Sequence, residues 1–181
     1  MHFSQMKTKD IVSIALFVTL LAMCAWIYIP MTIPFTMQTF AVFLAMLVLG
    51  GKKGTIVILI YLLSGLIGLP VFSGGAAGPA VLFGPTGGYM TGWIFMGLIY
   101  YAGEHFTSKF VKKPHILSLV AGLFICYFFG TFWFMNIYTK GSTDFPAAFS
   151  VCVFPFIIPD FVKLALAYTV SKRIKKYIGN V

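Results

Sequence analysis

The sequence predicts an all-α integral membrane protein, a compact bundle of six transmembrane helices with both termini cytoplasmic. Two observations carry this. Hydrophobic residues make up 60% of the 181 positions and charged residues only 9%, against about 25% charged in a soluble domain. The basic residues are also placed by segment. Eleven of the thirteen Lys and Arg (Lys7, Lys9, Lys52, Lys53, Lys109, Lys112, Lys113, Lys172, Arg173, Lys175 and Lys176) fall in short clusters between or beyond apolar runs. A net charge of +9 distributed in this way marks membrane topology and not a nucleic-acid surface.

The first helix is expected over 11–29, where 19 apolar residues reach about 28 Å, close to the hydrocarbon thickness. It reads as a spanning helix and not as a cleaved leader. Pro30 and Pro34 mark a loop before a second helix at 35–49. The run Gly50-Gly51-Lys52-Lys53-Gly54 is a turn, and a third helix follows at 55–69. Helices two and three are short, and a re-entrant hairpin is the rival reading; six spans keep Lys52 and Lys53 on the basic, cytoplasmic side. A glycine-rich segment, 71–85, leads to a fourth helix at 86–103. Basic residues 109–114 precede a fifth at 115–138, and a polar loop, 139–146, precedes the last at 147–171. One domain accounts for the whole length. The loops 30–34, 71–85 and 139–146 are then external. The second of them carries no charge, so it is expected to fold over or into the bundle, either simply packed or satisfied by a ligand.

Chemistry is sparse. Cys24, Cys126 and Cys152 lie in apolar runs without metal spacing, so no metal site or Cys/His catalysis is expected. A phosphate loop around Gly50-Gly51-Lys52 would need Gly at 46 and Ser or Thr at 53, where the chain has Met46 and Lys53. The four acids Asp10, Glu104, Asp144 and Asp160 offer no paired carboxylates, so no enzyme is expected.

Asp160 and Lys163 stand out. Each costs roughly 2.5–3.5 kcal/mol at a helix centre, and their i,i+3 spacing puts both on one face. They either neutralise each other or form the polar floor of a ligand site; the surrounding pattern favours the floor. Thr86 is placed to cap the fourth helix, whose N-terminus attracts anions, with Tyr89 a turn later. The glycines between them equally allow close helix packing. Gln38 at the start of helix two is either an interface residue or a ligand contact.

Four stretches carry a family resemblance. Ile33-Pro34-Phe35-Thr36-Met37-Gln38-Thr39, Gly68-Leu69-Pro70-Val71-Phe72-Ser73-Gly74-Gly75, Phe83-Gly84-Pro85-Thr86-Gly87-Gly88-Tyr89 and Asp160-x-x-Lys163 resemble, in this order, the BioY family. Its members are biotin-specific substrate-binding (S) components of energy-coupling factor (ECF) transporters in prokaryotic cell membranes. The resemblance implies a high-affinity biotin subunit with no catalytic residue and no cofactor, biotin being its bound substrate. Its site would draw on Asp160, Lys163, Tyr89, Thr86, Gly75 and Gln38. It implies as partners the lipid bilayer, a membrane coupling (T) subunit and two ATP-binding subunits, and no nucleic acid. The small-residue docking face of such families has its nearest match in Ala15-x-x-x-Thr19. Biotin's ureido N–H groups suit a carboxylate and its valerate suits a cation or a helix N-terminus, and the sequence leaves open which end meets Asp160 and which Lys163. An S component for another small vitamin and a non-binding structural subunit are the alternatives.

Overall fold

The structure, a computed structural model, describes residues 7–31, 33–106, 114–140 and 144–178. The basic residues Lys109, Lys112 and Lys113 and the loop positions 141–143 lie outside the described residues. The chain is mostly helical, and among the described residues four helices are long and apolar enough to cross a membrane: Thr8–Trp26, Gln38–Leu66, Ile116–Ile137 and Phe154–Tyr177.

Helix α1 covers Thr8–Trp26. It stops three residues short of the predicted end, because Pro30 biases Ile29 toward extended backbone. Tyr28–Ile29 (β1) instead pairs antiparallel with Phe35–Thr36 (β2), Tyr28 opposite Thr36. Asp10 in the first turn of α1 pairs with Lys53 at 2.6 Å, so the start of α1 and the Lys52-Lys53 turn share one end of the bundle.

Helix α2 is nominally continuous over Gln38–Leu66, but its contacts show a hairpin. Gln38 Nε2 lies 2.6 Å from Tyr61 Oη, although 23 residues of unbroken helix would separate them by about 35 Å. The reversal is a single residue, Gly50, at φ 82° and ψ 168°, a region open essentially to glycine alone. The turn predicted to occupy five residues occupies one, and positions 51–54 belong to the second arm. Glu104 Oε2 accepts the Gly51 N–H at 2.8 Å, capping that arm with charge.

Residues 67–86 return over the hairpin through a 3-10 turn, Ser73–Gly75, and a one-turn helix α3, Pro79–Leu82. The segment packs into the bundle. Phe72 is 0% exposed, and its ring lies where a Cβ on Gly65 would be, within 2.0 Å of it. Trp26 Nε1 donates to Pro70 O at 3.3 Å and Trp133 Nε1 to Gly84 O at 3.1 Å, fastening both ends of the loop.

Helix α4 (Gly87–Phe106) runs along α5 (Pro114–Trp133), which continues through a π-type turn, Phe134–Tyr138. The last predicted helix is two: α6, Phe145–Cys152, and α7, Phe154–Ile178. Pro155 explains the break, since proline lacks the N–H that would continue α6 but fits the first turn of a new helix. The α2 hairpin is the hub, with α1, α4 and α7 packed on it.

The outside is what lipid requires. Leu16, Met23, Leu63, Leu98, Phe128, Phe132, Val162 and Leu166 are all exposed. Exposed hydroxyls bond back to their own helix, Thr19 to Ala15 O at 3.0 Å and Thr169 to Ala165 O at 2.9 Å, as polar groups without water must.

Candidate functional site

A cavity opens between the start of α2, the start of α4, the middle of α5 and the α6–α7 region. Its wall includes Ile33, Pro34, Met90, Trp93, Leu123 and Phe156 as apolar surface, and Thr36, Gln38, Thr39, Ser73, Thr86, Tyr89, Tyr127, Asp160 and Lys163 as polar groups. A mostly apolar enclosure with a few convergent polar groups is the ordinary form of a small-molecule site.

The charged group in this wall is the expected pair. Asp160 and Lys163 are 2% and 4% exposed, and Lys163 Nζ donates to Asp160 Oδ1 at 2.8 Å. The pair is neutralised within itself and also forms part of the cavity wall. Thr39 Oγ1 donates to Asp160 Oδ1 at 2.9 Å and accepts from Lys163 at 3.0 Å. Tyr127 Oη donates to Asp160 Oδ2 at 2.7 Å. Lys163 Nζ sits 4.1 Å from the centre of the Phe35 ring, an attraction that strengthens when the cation is desolvated. Counting valences, Oδ1 is filled by two donors while Oδ2 keeps room for a second. The unit is neutral yet offers both a donor and an acceptor to a ligand.

Elsewhere in the lining, Gln38 bonds Tyr61, Thr36 and Ser73. Thr86 lines the cavity at the cap position of α4, its carbonyl accepting the Tyr89 and Met90 N–H groups. Tyr89 also lines it and shares a 3.2 Å hydrogen bond with Thr131. Of the expected site residues, Gly75 stays outside the lining, and neighbouring Ser73 takes its place. Ala15 and Thr19 lie elsewhere, in an apolar groove with Ile11, Ile14, Val18, Ile56 and Ile60 between α1 and the second arm of α2.

Sequence reasoning passed over Thr39 and Tyr127. Thr39 lies beside Gln38 in the Ile33–Thr39 stretch. Tyr127 had a weaker signal: Leu123, Cys126 and Tyr127 fall at i, i+3 and i+4, one helix face. Among the described residues no group of three or more His, Cys, Asp or Glu is placed to hold a metal ion.

An apolar exterior around a neutral but hydrogen-bonding cavity defines a multi-pass membrane protein built to hold a small, partly polar molecule. Comparison with known proteins makes the class specific. The BioY family model matches residues 1–180, and the chain belongs to that family. It is 39% identical over 173 residues to the biotin transporter BioY of Thermotoga maritima, covering 93% of this chain and 96% of that one. It is 37% identical over 171 residues to a probable biotin transporter BioY of Pyrococcus horikoshii, covering 94% and 98%. The fold matches a crystal structure of the S-component for biotin from an ECF-type ABC transporter, with TM-score 0.83, 26% identity, and 99% and 97% of the two chains covered.

Proposed function

We propose that the chain is the biotin-binding S component of an ECF transporter, capturing the vitamin outside the cell and working with a T subunit and two ATP-binding subunits. The carrying observation is the Asp160–Lys163 pair in the cavity wall. A neutral unit with one free acceptor position and an ammonium donor matches biotin's ureido ring, which is neutral and offers N–H groups and a carbonyl. Placing the valerate carboxylate there instead would bury two negative charges against one positive, which a desolvated site disfavours. The carboxylate is better served at the mouth, by Thr86 at the N-terminus of α4 and by Gln38, and Tyr89 and Trp93 give apolar wall between.

Six spans follow if the α2 arms, 38–49 and 51–66, count separately. The Asp10–Lys53 contact supports this, since it joins the start of α1 to the α2 turn, the end that the positive-inside rule assigns to the cytoplasm. The exposed Lys172, Arg173, Lys175 and Lys176 at the end of α7 are assigned to the same side. The Ala15–Thr19 groove is the surface we assign to the T subunit; Thr19, its hydroxyl already bonded to Ala15 O, can meet a partner helix with its methyl group.

Equilibrium binding of labelled biotin to the purified full-length chain tests the reading. Saturable binding, displaced by unlabelled biotin and not by thiamine or riboflavin, is expected. Displacement by either of those, or no saturable binding, would overturn it.

A further inference from the structure

The polar groups around Gln38 form a second network whose bond directions can be worked out in turn. Tyr61 is on the second arm of α2, 0% exposed and outside the cavity lining. Its hydroxyl lies 2.8 Å from the Val71 carbonyl, which only accepts, so the phenolic proton points there. The same oxygen then accepts from Gln38 Nε2 at 2.6 Å. This orients the amide, with Oε1 accepting from Thr36 Oγ1 at 2.9 Å and Ser73 Oγ at 3.2 Å. A primary amide has two protons and two oxygen lone pairs. Here one proton and both lone pairs are engaged, which leaves the second Nε2 proton on a residue that lines the cavity.

We propose that Tyr61 is a positioning residue: it orients the Gln38 amide so that this remaining N–H meets the acceptor end of the ligand, and it ties that orientation to the seated loop at Val71 and Ser73. The inference rests on the function proposed above, in which that acceptor is biotin's carboxylate. Without the phenol the amide is free to turn by half a rotation and present Oε1, so one contact changes from attraction to repulsion. Phe72, edge-on to Tyr61 with ring centres 5.6 Å apart, keeps Tyr61 and the loop in register.

The test is titration of the full-length chain with biotin and with its uncharged methyl ester. Tyr61→Phe is expected to weaken biotin by about tenfold or more, the scale of one hydrogen bond to a charged group, and the ester by less than about threefold on the same reasoning. Tyr61→Phe is expected to add little to the loss that Gln38→Ala already causes, because residues acting through one contact are not additive. A Tyr61 that only supports the fold would weaken both ligands alike and add to the Gln38→Ala loss; either result overturns the proposal. If Tyr61→Phe does not fold, Gln38→Glu decides, since it puts an acceptor where a donor is required. Loss of biotin with the ester retained supports the proposal, and equal loss of both overturns it. A wild-type chain that binds no biotin overturns the proposed function itself, and the two failures are distinguished because the wild type is measured first.

Discussion

Removing one charge of the Asp160–Lys163 pair is expected to destabilise the fold, and removing both to leave it nearly unchanged. Asp160→Asn leaves an ammonium that is 4% exposed beside a neutral amide. Lys163→Met leaves a carboxylate with only Thr39 and Tyr127 to donate to it. Breaking a buried pair from one side costs about 3–5 kcal/mol, whereas replacing both members with uncharged groups of similar size is often neutral. Asp160→Asn/Lys163→Met should therefore melt close to the wild type, because the amide oxygen introduced at position 160 can still accept from a neighbouring hydroxyl and Met fills the Lys stem's volume beside Phe35. Binding should not recover. Loss of two charge-assisted hydrogen bonds at about 1.5–3 kcal/mol each raises Kd by about two to four orders of magnitude. Thermal melting in nanodiscs and equilibrium binding of labelled biotin, on all three variants, separate the two effects. A double variant that binds biotin as tightly as the wild type would refute the site. Single variants that melt at the wild-type temperature would refute the buried ion pair.

Three further outcomes follow from particular contacts. Gly65→Ala places a methyl group within 2.0 Å of the Phe72 ring, so a loss of about 1–3 kcal/mol and faster biotin release are expected, with Phe72→Leu restoring part of both; an unchanged melting temperature would exclude this packing. Gly50→Ala at φ 82° should destabilise by about 1–3 kcal/mol through backbone strain, as thermal melting of that variant would show; a neutral result would mean that the α2 reversal is not made at this residue. Ala15→Trp fills the groove between α1 and α2, so cells carrying it with the T and ATP-binding subunits should lose biotin uptake while the purified chain binds biotin normally; normal uptake would place the docking surface elsewhere.

What the sequence made legible depended on whether a feature was written in periodicity or in three-dimensional proximity. Apolar runs and basic punctuation are one-dimensional, so the membrane class, the α2 turn region and the loop 71–85 were readable directly. Asp160 and Lys163 were readable because an ion pair in an apolar run has no background to hide in. Thr39 and Tyr127 were harder for the opposite reason: a threonine and a tyrosine in a helix are ordinary until Asp160, 121 and 33 residues away, comes within hydrogen-bond distance. The split of the last helix was legible in principle, since Pro155 stands there, but hydropathy outweighed it. Proline does not lower the apolar count; it removes one donor, and that local effect decides the backbone. The α2 hairpin is the sharpest case. Lys52 and Lys53 argued for a turn between spans, yet the reversal needs one glycine at positive φ and not the polar run beside it. Gly51 and the lysines are therefore helical, and Glu104, 53 residues away in sequence, supplies the cap. A tight reversal of this kind shortens both arms and brings Gln38 to Tyr61, and that contact is what seats the loop over the cavity. The arrangement around Gln38 is therefore set at Gly50, at the far end of the hairpin from the cavity.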